Sequence, residues 1–234
     1  MVNLCDRGAV GVAIARTLGA SSCQSVPREP MAQLRFLKVE GYQPVLEDGV
    51  FAGLTSLVSL ILDSNGIHTI SKGAFAGLGQ LQELSLQNNK IETLPIGGLK
   101  PLISLRRLQL QNNQLGKLSF EALQGASSVV VMNLENNRIA EIENGALGQM
   151  SLLQVLNMRN NKLRTLDRLG FAGADSLSHL IVDANQVSMI QDGAFVALPS
   201  LKILDIHENP LQEISRSRTG LGLDTFVGGV KVNP

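Results

Sequence analysis

The sequence predicts an α/β protein built as a solenoid, in which one short strand from each successive turn joins a single parallel sheet. Three observations predict it. A chemical pattern with a period of 24 residues recurs seven times without a slip in phase. Each copy carries apolar residues two apart, which puts both on one face of a strand and the residue between them on the other. With 44% hydrophobic and 17% charged residues in 234, the chain has enough apolar material to bury a large core without a metal or a dense disulfide network.

The first regular copy runs Leu57, Leu60, Leu62, Asn65, Ile67, Ile70, Phe75 and Leu78. Stepping forward by the period reaches Leu81, Leu84, Leu86, Asn89 and Ile91, and the last full match is Leu201, Leu204, Ile206, Asn209, Leu211 and Ile214. A degenerate leading copy lies one residue out of phase at Leu34, Leu37 and Val39, has Gly41 or Tyr42 in place of the Asn, and rejoins the pattern at Leu46, Phe51 and Leu54. One turn cannot hide its own apolar face, so stacking must supply the stability. Each buried Leu or Ile contributes about 1.5 to 3 kcal/mol, against about 1 to 2 kcal/mol per residue for ordering the backbone. Eight strands at about 4.8 Å spacing make a sheet roughly 34 Å wide.

These copies resemble the leucine-rich repeat family, in its 24-residue form L-x-x-L-x-L-x-x-N-x-L-x-x-L followed by F-x-x-L, over residues 34–214. The resemblance implies a right-handed, horseshoe-shaped solenoid with a concave parallel β-sheet and a mostly irregular or 3-10 convex side. It divides the chain into an N-terminal cap at 1–33, repeats at 34–214 (one degenerate copy and seven regular ones), and a short cysteine-free C-terminal cap or tail at 215–234. The column Asn65, Asn89, Asn113, Asn137, Asn161, Asn185 and Asn209 is read as structural, its amides satisfying backbone groups of their own turn and the next. Phe51, Phe75, Phe171 and Phe195, with Leu99, Leu123 and Leu147 in the middle copies, form a packing spine on the convex side.

Open ends of such a stack expose apolar core and an unpaired sheet edge. Ser25-Val26-Pro27 resembles the segment leading out of the cysteine-containing caps of extracellular members. Such caps carry four cysteines, whereas this chain has Cys5 and Cys23. The resemblance allows a Cys5–Cys23 disulfide, with two buried free thiols as the other reading. Gly8 to Ala15 is then a cap strand or a short helix. That apolar run is far short of the roughly 20 residues needed to cross a bilayer. Asp6 and Arg7 precede it and no small-residue cleavage site closes it, so it is not read as a signal peptide. Glu208-Asn209-Pro210-Leu211 resembles the start of an extracellular C-terminal cap, but the cysteines that follow in that cap are missing, and no N-x-S/T glycosylation site occurs.

Catalytic patterns are absent: three histidines (His68, His179, His207), no H-E-x-x-H, no G-x-S-x-G and no phosphate loop. The expectation is a non-enzyme without cofactor or metal. Twenty Lys plus Arg balance twenty Asp plus Glu, which removes the broad attraction a nucleic-acid binder relies on. Function is therefore sought on the concave face, where residues between the core leucines point to solvent. Its first column reads Phe36, Ser59, Glu83, Arg107, Val131, Val155, His179, Ile203. The central column reads Lys38, Ile61, Ser85, Gln109, Asn133, Asn157, Ile181, Asp205, and the third Glu40, Asp63, Gln87, Gln111, Glu135, Arg159, Asp183, His207. The candidate ligand-binding set is the stretch from Arg107, Gln109 and Gln111 onward. Apolar Val131, Val155, Ile181 and Ile203 rimmed by charge suit a protein contact, although parallel strands favour β-branched residues in any case. With no Trp and one Tyr, strong aromatic anchors are scarce. A sharper alternative is a divalent cation held by Asp183, Asp205 and His207 with His179 nearby, against ordinary cross-strand pairing.

The resulting expectation is a protein-recognition module of the extracellular type, similar to variable lymphocyte receptors, adhesion proteins and receptor ectodomains. It has a protein ligand, no nucleic-acid partner and no transmembrane segment, and is secreted or at the cell surface. The alternatives are a cytoplasmic scaffold or regulator on the same repeat, and a protein acting through self-assembly as a homodimer.

Overall fold

In the computed structural model, which describes residues 1–234, nine three-residue strands form one parallel sheet. Neighbouring turns pair in the register that the repeat dictates: Leu60 lies beside Leu84, Leu108 beside Met132, and Leu156 beside Leu180. These central residues are fully buried, and the apolar core is one continuous cluster from Leu4 to Leu221. The Phe and Leu spine is buried as well, and the rings of Phe51 and Phe75 stack with centroids 6.1 Å apart.

The asparagine column joins each turn to the one before it, not to the one after. Asn89 Oδ1 accepts from the backbone N–H groups of Asn65 (3.1 Å) and Ile67 (3.0 Å). Its Nδ2 donates to Leu62 O and Leu86 O, both at 2.9 Å. Asn113, Asn137, Asn161 and Asn185 repeat both donations and the acceptance from the second of these N–H groups. Asn65 is the exception, because in the degenerate first copy Gln43 N donates to the Asn65 main-chain oxygen and the amide Oδ1 is left buried without a partner.

The residue before each Asn adopts the left-handed region that few L residues tolerate: Ser64, Asn88, Asn112, Asn136, Asn160, Ala184 and Glu208, at φ between 51° and 60°. Asn is among the residues least penalised there. The four central ones also link side chains, Asn112 Nδ2 donating to Asn88 Oδ1, Asn136 to Asn112 and Asn160 to Asn136, each at 2.7 Å.

The convex side consists of turns, four-residue helices at Phe120–Leu123 and Arg168–Phe171, and two-residue ladders such as Thr69–Ile70 on Val45–Leu46. Ser71 N donates to Leu46 O and Glu143 N to Leu118 O, but the equivalent position in another copy is Pro95, which has no N–H to give. The convex ladder is interrupted around Pro95, as it also is between Glu141–Ile142 and Thr165–Leu166, and a cavity of about 460 Å³ opens beside Leu94, Pro95, Lys117 and Ser119.

At the N-terminus Gly8–Thr17 is a helix, which decides between the two forms left open for that run. It seats Val10 and Ile14 in the core beside the first strand, Phe36–Lys38. Gly11 is needed there, since a Cβ would stand 1.9 Å from Leu4 O. Cys5 and Cys23 are disulfide-bonded, closing a loop of 18 residues that Val2 and Val26 also close by antiparallel backbone bonds. By loop entropy alone such a bridge contributes roughly 3 kcal/mol.

The C-terminus departs from the eight-strand expectation. Phe226–Gly228 adds a ninth strand beside Ile203–Asp205, and Lys231–Asn233 pairs with Glu213–Ser215 on the convex side. Phe226 follows Ile203 by 23 residues, so the one-residue slip hides this turn from a strict 24-residue step. Nine strands at about 4.8 Å make the sheet about 38 Å wide.

Two substitutions with opposite signs test this account of the turn. Asn137→Ala orphans Leu115 N, Leu110 O and Leu134 O and is expected to lower unfolding free energy in urea by about 1 to 3 kcal/mol. Ala184→Asn relieves the left-handed backbone and brings an amide within reach of Asn160, so the urea midpoint is expected to rise, by about 0.5 to 1 kcal/mol equivalent.

Candidate recognition surface on the concave sheet

The residues flanking the buried strand centres lie in three columns across the sheet. In the first, Arg107 is in register with Val131, Val131 with Val155, Val155 with His179 and His179 with Ile203. In the second, Gln109, Asn133, Asn157, Ile181 and Asp205 stand side by side. Gln111, Glu135, Arg159, Asp183 and His207 follow just beyond the strand ends, where the backbone ladder continues through Asn112 N to Glu135 O and Asn160 N to Asp183 O. The sequence-selected residues thus share one open face.

Many polar groups of this face are already engaged. Asp63 accepts from Ser85 Oγ (2.6 Å) and Gln87 Nε2 (2.6 Å), and Gln111 Nε2 donates to Gln87 Oε1 (2.6 Å). Asn133 and Asn157 accept from the backbone N–H groups two residues on, at 3.0 Å each, and Asn157 Nδ2 donates to Glu135. At the N-terminal end Lys38 and Glu40 form an ion pair at 2.8 Å, which raises the ammonium's pKa and lowers the carboxyl's. Amides and charges bound to one another have less to offer a partner, because each contact must first break one already made.

The apolar side chains of the C-terminal half are different. Val131, Val155, Ile181 and Ile203 are half-buried, with their outer surfaces on the open face. Phe226 extends this apolar stripe: it is in register with Ile203 and 64% exposed. The sequence reading missed it because the last turn is one residue short. The signal that finds it is the Phe-Val-Gly-Gly segment, whose Val227 replaces the core leucine beside Leu204. The face also carries six carboxylates (Glu40, Asp63, Glu83, Glu135, Asp183, Asp205) against three fixed cations (Lys38, Arg107, Arg159), in a chain of zero net charge.

Where the stripe meets its acidic rim, His207 Nδ1 stands 3.4 Å from Asp205 Oδ1 and 3.9 Å from Asp183 Oδ1, and His207 N donates to Asp183 Oδ1 at 3.1 Å. His179 is not part of this group, since its ring nitrogen pairs with Ser178 Oγ at 2.7 Å in the first column. Burial, and then the charge of Asp205, push the Asp183 carboxyl above the usual carboxylate range. The His207 backbone N–H, the His207 ring and Arg159 act the other way.

A family profile described as Leucine rich repeat matches residues 44–91, 55–115, 80–139, 103–163, 127–187 and 175–224. A search of curated protein sequences finds no match. Among solved structures, the crystal structure of a TLR13–ssRNA13 complex is similar with a TM-score of 0.77 and 25% identity, over 90% of this chain and 31% of that one. This chain therefore spans about a third of that protein's length. The crystal structure of internalin C2 from Listeria monocytogenes str. 4b F2365 is similar with a TM-score of 0.74 and 20% identity, over 99% of this chain and 97% of that one, a likeness of fold. No helix is long and apolar enough to cross a membrane.

The raised pKa of Asp183 gives a signed pH effect. Ionising this carboxyl costs the folded state more than the unfolded one. The stability it contributes when protonated is full below the unfolded pKa and is lost as pH rises through the higher folded value. Asp183→Asn keeps an oxygen to accept from His207 N. In chelator-treated protein it is expected to raise the thermal midpoint at neutral pH, with the advantage shrinking as pH falls through the carboxylate range. A difference that stays constant across that range contradicts the assignment.

Proposed function

The chain belongs to the leucine-rich repeat family, and from that premise we propose that it is a non-catalytic recognition module that binds a protein ligand on the concave face, outside the cell. The observation that carries this reading is the apolar stripe from Val131 through Val155, Ile181 and Ile203 to Phe226, solvent-facing on the sheet and rimmed by Glu135, Arg159, Asp183 and Asp205. Apolar side chains at the centre and charge at the edge are how protein interfaces are commonly built. Phe226 supplies the aromatic anchor that composition alone left scarce.

Electrostatics narrows the partner. Lys38 and Glu40 neutralise each other, so the remaining surface is acid-rich and favours a ligand with a cationic rim around an apolar centre. The same excess opposes a polyanion. TLR13 was crystallised with ssRNA13, but phosphate binding needs Lys and Arg on the contacting surface, and here the carboxylates outnumber them. The ligand-binding set is Arg107, Gln109, Gln111, Val131, Asn133, Glu135, Val155, Asn157, Arg159, His179, Ile181, Asp183, Ile203, Asp205 and His207, joined by Phe226. Within it the weight lies on the uncommitted side chains of the C-terminal half. The Cys5–Cys23 bridge supports an oxidising compartment, secreted or at the cell surface, because such bonds are kept reduced in the cytosol. Residues 1–33 act as the N-terminal cap, 34–214 as the repeat stack and 215–234 as the C-terminal cap.

Pull-down with the intact chain, beside Val155→Asp with Arg159→Glu and beside Phe226→Asp, tests the choice of face. Both variants are expected to lose the partner recovered by the parent while keeping its circular dichroism. Undiminished recovery by both would mean that the ligand sits elsewhere.

A further inference from the structure

Three donors of two chemical kinds converge where the concave sheet meets its last strand. Asp183, Asp205 and His207 each offer a ligand atom, and these atoms all lie within 4.8 Å of one another. The imidazole nitrogen faces both carboxylates, at 3.4 and 3.9 Å. Donors bound tetrahedrally to one ion at about 2.0 to 2.2 Å are separated by roughly 3.3 to 3.6 Å, so small side-chain rotations bring all three onto one centre. Within ion-pair distance neither carboxylate has a Lys or Arg partner; the imidazole is the only one.

The neighbouring strand leaves room for the group. Gly228 is in register with Asp205. A Cβ at Gly228 would stand 2.5 Å from Asp205 Oδ1 and 2.6 Å from His207 Cε1, and a Cβ at Gly229 would stand 2.5 Å from His207 backbone atoms. Two consecutive glycines therefore let the last strand pair closely without pushing either donor away. On the opposite side the group is open to solvent, with His207 exposed and the two aspartates partly so.

We propose that Asp183, Asp205 and His207 form a binding site for a divalent transition-metal ion of the Zn²⁺ class, with the remaining coordination positions open to water on the concave side. The imidazole selects the class: two carboxylates alone suit Ca²⁺ or Mg²⁺, whereas a nitrogen donor shifts the preference to the later first-row metals. The ring binds in its neutral form through Nδ1, with the proton on Nε2. The site stands whether or not the concave face is the docking surface.

The test titrates the full chain, stripped of metal with a chelator, with ZnCl₂ and in parallel with MgCl₂ by calorimetry and thermal denaturation. Zn²⁺ is expected to bind with one equivalent and to raise the thermal midpoint. Asp205→Asn and His207→Gln are each expected to weaken binding by about tenfold or more with unchanged circular dichroism, while His179→Gln binds as the parent does. The proposal is overturned by the absence of heat and thermal shift at millimolar ZnCl₂, by binding that survives both substitutions, or by Mg²⁺ binding as tightly as Zn²⁺.

Discussion

Each turn of this protein ends by folding inward, and the backbone groups exposed at that bend find their partners in an amide belonging to the following turn. Asn89 holds Asn65 N, Ile67 N and Leu62 O together with its own Leu86 O, and all of these except the bond to Asn65 N recur at every later copy. The interaction forces a fixed phase, because an amide one residue out of place meets none of these groups. It also forces the backbone just before it into the left-handed region, which explains why a second column of asparagines, Asn88, Asn112, Asn136 and Asn160, accompanies the buried one. The buried leucines supply the larger share of the stabilising energy, but they are non-directional. The amides make the stack regular.

Regularity frees the concave face. Once strand spacing and register are set by buried groups, the outward side chains are free to vary without loss of the fold, and here they vary along the solenoid. Toward the N-terminal end they bind one another: Lys38 with Glu40, Asp63 with Ser85 and Gln87, Gln87 with Gln111. Toward the C-terminal end Val131, Val155, Ile181, Ile203 and Phe226 have no such internal partners and stand beside carboxylates. The docking surface proposed at the C-terminal end rests on this contrast, since an exposed apolar stripe beside charge is what a protein contact commonly uses.

Much of this was legible from residue order. The period located the strands, the alternation located their faces, and the buried phenylalanines followed from position alone. Three features were not legible. The asparagines reach to the preceding turn, and no sequence spacing distinguishes before from after. The terminal strand at Phe226–Gly228 is displaced by one residue, so periodicity lost it along with the one aromatic side chain at that end of the face. His179 and His207 look equivalent in sequence, each near an aspartate. Only His207 points at both carboxylates, because Gly228 and Gly229 leave it the space, while His179 turns to Ser178.

The sequence by itself therefore determined a parallel solenoid and, within the copies that keep strict phase, the identity of the core and the side chains on the open face, since these depend on local periodicity, which a linear chain carries. Tertiary structure alone decided how the ends are closed, which polar side chains of the face are consumed by their neighbours and which remain free. Those outcomes depend on contacts between residues 22 to 27 apart and on side-chain direction within an ångström or two, quantities that strand register and packing set and that residue order does not encode one position at a time.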